Sequence, residues 1–376
     1  MKFGFYSCMS GMPWGGSEVL WYKAAKKLQR MDHEVCVSFK WWPYKAFQLE
    51  DLEKHGAHLW LRNKPKSKIK SLVSRFGPAE TAESWITTHR PDAVLITLGY
   101  HPDQIEIADA CIRNKVPYAI NLQCASSFFF IPADRLDKYR RWYSNADKVL
   151  FVSDENRLKL ENNIALRLDD NAEIVSNPFN VDYNTDVSWP EQNGQPKFRV
   201  ACVGRVHFQS KGQDIIVDVM KQDKWKKRPI EVTFYGHDQG NKGQLESLIE
   251  MHGLQDKLKF GGYVKDVKEI WEANEALLLP SRYEGAPLVV TEAMLCGRFA
   301  ITTNLGRNTE LMDDNVSGFI AEGATVTLFD EAMERAWEKR EQWQQIGQLA
   351  RQHIRERYPE DPVGEYAEKI LSLVKQ

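Results

Sequence analysis

The stretch PSRYEGAPLVVTEAMLCG, residues 280–297, decides the fold. The apolar run 277–279 before it reads as a buried strand, and the helix that follows begins near Pro287 or Leu288 and stops at Gly297. A strand that turns through a short loop into a helix is the repeating step of a parallel α/β sheet. Glu284 lies in the loop, and Glu292 falls near the second helical turn in an otherwise apolar setting, so both carboxylates can face one cleft. The backbone N–H groups of Leu288 and Val289 at the helix start are left available to an anion.

The same rhythm extends outward in both directions. Residues 199–203, 232–235 and 300–302 are further apolar runs in this half of the chain; residues 3–6, 35–39, 93–98, 118–122 and 149–152 form an earlier series. Residues 177–196 lose periodicity and carry Pro178, Pro190, Gly194 and Pro196, which makes them the expected linker. After Val326 the chain reads as helix through about Arg357, and residues 363–374 give a further helix behind Pro359 and Pro362. At 376 residues the chain exceeds what one core holds, so two α/β domains are expected, 1–180 and 197–357, followed by a C-terminal segment, 358–376.

Two more strand-to-helix loops carry chemistry. The first strand leads through Gly11, Pro13, Gly15 and Gly16 to Ser17, after which Trp21, Ala24, Ala25 and Leu28 hold helical spacing; such a loop lets backbone N–H groups approach a phosphate, although an ordinary turn reads the same way. In the second half, residues 200–203 are followed by Gly204 and Arg205, then Lys211 and Gly212. Cations just past a strand's carboxyl end sit where open α/β sheets bind ligands, while solvated surface charge is the competing reading. The GxGxxG fingerprint occurs nowhere in the chain.

Composition narrows the classes. A net charge of -2 excludes a protein that is basic all over, so no nucleic-acid partner is expected. The six cysteines, Cys8, Cys36, Cys111, Cys124, Cys202 and Cys296, show neither CxxC nor zinc-ligand spacing and read as reduced core residues. MKFGFYS at the start alternates like a strand, and no apolar run reaches membrane-spanning length, so a cytoplasmic location is expected. Residues 64–76, KPKSKIKSLVSRF from Lys64 to Phe76, place Ile69, Leu72, Val73 and Phe76 on one helical face beside Lys66, Lys68, Lys70 and Arg75. Such a segment suits either peripheral contact with an anionic membrane or packing on the first domain.

Taken together, Gly204-Arg205, Lys211-Gly212, Pro280-Ser281, Glu284-Gly285, Glu292-Ala293-Met294 and Gly297, with Gly15-Gly16-Ser17-Glu18 near the start, resemble the retaining GT-B glycosyltransferases of family 4. The likeness covers most of the chain and is strongest over residues 199–320; the two glutamates eight apart are its most specific signal. The resemblance implies two Rossmann-like domains facing each other across a cleft, with the C-terminal helix crossing back to the first. It implies a nucleotide diphosphate sugar as donor, a UDP-sugar by family frequency, and a glycan or lipid-linked acceptor. By resemblance Arg205 and Lys211 hold the diphosphate, Glu284 the transferred sugar and Glu292 the ribose hydroxyls. Gly15, Gly16 and Gly204 let backbone approach the phosphates; Gly262, Tyr263 and Val264 cradle the base; and Gly285, Ala286, Pro287, Leu288 and Val289 complete the donor loop.

One departure stands out. Relatives often carry a histidine after the strand that here reads Tyr118–Leu122, but this chain has Gln123 and Cys124. Gln123 can hydrogen-bond a sugar hydroxyl but cannot serve as acid or base, and His101 is the other candidate for the place. No Asp-x-Asp motif lies in a plausible loop, since Asp169-Asp170 and Asp313-Asp314 are adjacent pairs, so no metal and no cofactor are expected. Two alternatives stay open: a nucleotide-sugar epimerase of the same fold, and a catalytically silent nucleotide-sugar binding protein.

Overall fold

The structure, a computed structural model, describes residues 1–64, 81–103, 105–191, 194 and 197–374. Of the basic segment expected at residues 64–76, only Lys64 belongs to the described residues. The chain divides into two compact units, Met1–Pro178 together with Asp361–Gln376, and Phe179–Glu360.

The first unit is a seven-stranded parallel sheet built from β1 (Lys2–Ser7), β2 (Glu34–Lys40), β3 (His58–Arg62), β4 (Ala93–Leu98), β5 (Tyr118–Leu122), β6 (Lys148–Phe151) and β7 (Ala172–Ile174), in the order β3-β2-β1-β4-β5-β6-β7. The second is a six-stranded parallel sheet of β8 (Phe198–Val203), β9 (Ile230–Tyr235), β10 (Leu258–Gly262), β11 (Ala276–Leu279), β12 (Phe299–Thr303) and β13 (Phe319–Ala321), in the order β10-β9-β8-β11-β12-β13. The expected α/β architecture is therefore what the chain adopts, twice. In each sheet the chain winds outward from a central strand and then restarts on that strand's other side, between β1 and β4 in the first and between β8 and β11 in the second. Loops leaving the carboxyl ends of these pairs diverge, and the crevice between them is where open α/β sheets take ligands.

Central strands are buried on both faces, which is why β4 and β5 read as largely apolar runs, interrupted only by Thr97 and Asn121, with every residue buried. The strands absent from the sequence reading are β3, β7, β10 and β13, the two edges of each sheet. Three of them are half open to solvent: β3 buries no residue fully, β7 none, and β10 only Leu258, so no sustained apolar run marks them. The fourth, β13, is buried but only three residues long.

Two other expectations need correction. Residues from Phe179 onward are not a loose linker: Phe179, Val181, Tyr183, Val187 and Trp189 pack on the second core. The helix expected across 326–357 is two, Val326–Glu338 and Trp343–Arg357, separated by Lys339 and a 3-10 turn at Arg340–Gln342. The break lets Trp343 turn inward, where its indole N–H donates to the Ala336 carbonyl at 2.8 Å.

The last helix, Pro362–Leu371, belongs to the first unit and lies against the helix Val19–Arg30. Its start is defined chemically: Asp361 accepts from the Gly364 N–H at 2.8 Å, and Pro362 occupies the first turn, where an N–H is dispensable. Tyr366, Ala367 and Ile370 are buried. The Lys27–Asp361 ion pair beside them, 2.6 Å long, is too exposed to add much, so apolar burial holds this helix in place.

Candidate functional site

In the second unit the loops after β8 and β11 meet at one ion pair. Past β8 the chain turns at Gly204 (φ 156°), forms the short helix Phe208–Lys211 and turns again at Gly212 (φ 65°) before the helix Gln213–Met220. Both glycines are needed for their backbone angles, and a Cβ on Gly212 would lie 2.1 Å from the Pro280 carbonyl oxygen. That contact brings the β8 loop directly onto the β11 loop. Lys211 then reaches Glu284 with Nζ on Oε1, and the Ser281 hydroxyl donates to the same oxygen at 2.8 Å. Both side chains are largely shielded, so their attraction is stronger than that of a surface pair.

The surrounding contacts make this corner rigid. Gln213, itself buried, donates through Nε2 to the Arg205 carbonyl at 2.8 Å and accepts from the His207 N–H at 3.3 Å. Arg282 donates to both oxygens of Asp214 at 2.8 and 2.7 Å, and its N–H donates to the Ser210 carbonyl at 2.9 Å. Gly285 is pinned through its carbonyl, which accepts from the Arg307 N–H at 2.9 Å. Arg205 turns toward the end of β9 and donates to Gln239.

Pro287 precedes the helix Leu288–Leu295, whose first turn has no side-chain cap. Uncapped N–H groups of Leu288 and Val289 and the positive end of the helix dipole therefore begin four residues after Glu284. Four residues into that helix, Glu292 is buried and accepts at Oε1 from the Asn180 N–H (3.1 Å) and Asn180 Nδ2 (2.8 Å). Glu284 is thus paired with Lys211 and Glu292 with Asn180. At the end of β10, the Gly262 carbonyl accepts from the Gly236 N–H at 2.8 Å, and exposed Tyr263 stacks on His237 with ring centroids 4.2 Å apart. Val264 packs on the core.

The first unit carries the remaining candidates at its own switch point and on neighbouring β5. Gly15 is extended and Gly16 opens a 3-10 turn, Gly16–Glu18, that runs into the helix Val19–Arg30; a Cβ on Gly16 would meet nothing within 4 Å. Glu18 is fully buried, and burial pushes its carboxyl up to about 7 against hydrogen bonds from Ser7 and Trp21. Asp103, past β4, is likewise raised by burial to about 6. Gln123, just past β5, is held by Nε2 on Asn121 Oδ1 at 3.1 Å.

His101 is buried with both ring nitrogens engaged. Nε2 donates to the Phe129 carbonyl at 2.7 Å, and Nδ1 accepts from the Ser126 N–H at 3.4 Å; burial lowers its pKa, so it stays neutral. In this arrangement it braces the loop that exposes Phe128 and Phe130.

Asp313 and Asp314 are taken up by Arg357 and Arg335, and Asp169 lies 3.8 Å from Arg157. Among the described residues no three His, Cys, Asp or Glu side chains gather as metal ligands, no cysteines pair in a disulfide, and no helix is long and apolar enough to cross a membrane.

Sequence reasoning missed Asn180, Gln213, Asp214, His237, Gln239 and Arg282. Gln213 and Asp214 directly follow the Lys211-Gly212 pair and were within reach of a local reading. Asn180 and Glu292 lie 112 residues apart, and nothing local marks the pairing.

Residues 186–353, most of the second unit, match the Glycosyl transferases group 1 family. Among curated proteins the chain is similar to the Vi polysaccharide biosynthesis protein VipC/TviE of Salmonella typhi, 30% identical over 135 residues, which are 35% of this chain and 23% of that protein. It is also similar to a glycogen synthase of Pseudomonas syringae, 26% identical over 160 residues, 43% of this chain and 32% of the relative. The matched segments thus span a third or less of these relatives' lengths. Two solved structures share the fold over nearly the whole of both chains: HepE of Anabaena in complex with UDP (TM-score 0.76, 19% identity, 99% of this chain and 100% of that one) and a glycosyltransferase of Rickettsia africae (TM-score 0.77, 16% identity, 100% and 99%). The fold is GT-B, and most of its second unit matches the Glycosyl transferases group 1 family.

Proposed function

We propose that this chain is a retaining glycosyltransferase that moves a hexose-type sugar from a UDP-sugar to a glycan or lipid-linked acceptor in cell-surface polysaccharide synthesis, without a metal, at the cytoplasmic side of the membrane. The observation that carries the reading is the Lys211–Glu284 pair, which joins the two loops at the switch point of the matched unit, with an uncapped helix starting four residues after Glu284. UDP in the Anabaena neighbour and the polysaccharide role of the Salmonella relative support the donor and the pathway class.

In the proposed reaction the bond between the anomeric carbon and the diphosphate oxygen breaks, and negative charge grows on the leaving diphosphate. Lys211, Arg205 and the N–H groups of Leu288 and Val289 stabilise that charge, electrostatic work that a divalent ion performs in other enzymes. Glu284 orients the sugar and favours positive charge at its anomeric carbon. The acceptor hydroxyl attacks from the face the diphosphate leaves, and its proton passes to the departing phosphate oxygen. No side-chain base is required, consistent with Gln123 where relatives carry histidine and with the engaged nitrogens of His101.

A screen of nucleotide sugars tests this. The correct donor at about 100 times Kd should add roughly 2.7 kcal/mol to the stability of the chain. The same donor with an acceptor glycan should give an axial or equatorial product linkage matching the donor, at a rate unchanged by EDTA. Epimerised donor without transfer would favour the epimerase reading, and binding with no turnover the silent binding protein.

A further inference from the structure

Glu292 is a carboxylate buried in a helix whose residues from Val289 to Leu295 are all buried. A bare carboxylate in such surroundings costs several kcal/mol unless hydrogen bonds compensate it. Asn180 supplies two, from its backbone N–H and its side-chain amide, both to Oε1. A neutral amide orients a carboxylate without discharging it.

Asn180 is itself well fixed. It is the second residue of the second unit, next to Phe179, whose ring packs against Tyr183 and Tyr358; the Tyr183 hydroxyl donates to the Arg355 carbonyl at 2.9 Å. Unlike Glu292, Asn180 is exposed, so its side chain does not fill the core. Its two donors converge on one oxygen of a group the core would otherwise reject.

We propose that Asn180 is a positioning residue for the nucleotide site: it sets the orientation of the Glu292 carboxylate toward the ribose hydroxyls, and through it the preference for a ribonucleotide. The proposal rests on the reading of Glu292 as the ribose contact.

The experiment compares UDP with 2′,3′-dideoxy-UDP by calorimetry for the wild type, Glu292→Gln, Asn180→Ala and Asn180→Asp; the last keeps the size of the side chain and loses its donor. The wild type should prefer UDP by about 10- to 100-fold, the range for hydrogen bonds to a charged group. Glu292→Gln should lose most of that preference, and both Asn180 variants should fall with it, about tenfold in UDP affinity with little change for the dideoxy compound. In turnover the donor KM should rise while kcat holds. Asn180 variants that keep the wild-type preference, or that weaken both nucleotides equally, overturn the proposal while leaving Glu292 in place. A wild type with no preference removes the role of Glu292, and that of Asn180 with it.

Discussion

Arg282 holds Asp214 through two parallel hydrogen bonds of 2.8 and 2.7 Å, so the loop bearing Glu284 is fastened to the helix that follows Lys211. The clamp is bidentate, a geometry that lysine cannot reproduce. It touches neither Lys211 nor Glu284 but fixes the backbone on both sides of their contact.

Loosening the clamp should therefore cost activity before it costs folding. Arg282→Lys is expected to lower kcat by about tenfold, because a misplacement of about 1 Å at a reacting centre has effects of that order or larger. Thermal melting of the same variant should change little. A normal kcat would mean that the Lys211–Glu284 pair keeps its geometry unaided.

On the proposed mechanism, Lys211→Ala and Arg205→Ala should reduce turnover by about 10²- to 10³-fold, more than they weaken donor binding, because negative charge on the leaving diphosphate develops as the bond breaks. Glu284→Gln should lower kcat with UDP affinity almost intact. Steady-state kinetics alongside UDP titration separates the two effects. If Glu284→Gln weakened UDP as much as the intact donor, the sugar would not lie at Glu284.

Arg298 is buried in the second unit and donates to five backbone carbonyls, those of Trp271 and Asn274 (2.9 and 2.8 Å from Nε), Cys296 (2.9 Å), Gly297 (3.4 Å) and Ser188 (2.6 Å). Burial lowers its pKa to about 10, still far above neutrality. Arg298→Leu leaves these acceptors without their donor and should destabilise the chain by about 3 kcal/mol or more in urea unfolding. A loss under about 1 kcal/mol would show that water replaces the guanidinium.

Glu18 gives the first unit a pH dependence. Its carboxyl is raised by burial from 4.5 to about 7, so between those values the folded chain holds a proton that the unfolded chain has released. The stabilisation is complete below about pH 4.5 and is lost as pH rises through 7, roughly 3 kcal/mol in all at about 1.4 kcal/mol per pH unit. Asp103, raised to about 6, acts in the same direction. Glu18→Gln should flatten the decline between pH 5 and pH 8 in urea melts; an unchanged slope would place its source elsewhere.

What the sequence discloses follows from what is local. Runs such as Ala93–Leu98 announce central strands because both faces are buried, whereas His58–Arg62 at a sheet edge is half solvated and carries no such mark. Lys211 and Glu284 are legible because each follows a strand at a short, recognisable spacing. Their pairing depends on the close approach of Gly212 to Pro280, which no neighbouring residue signals. The same holds for His237 under Tyr263 and for Asn180 on Glu292, whose partners are brought together by topology alone.

The placement of the last helix also bears on how the chain is made. The second unit is one continuous segment, but the first needs Tyr366 and Ile370 to cover the helix Val19–Arg30. During synthesis the helix Val19–Arg30 must therefore wait for Pro362–Leu371 far along the chain, so the second unit can finish folding before the first, the reverse of the usual order along a growing chain.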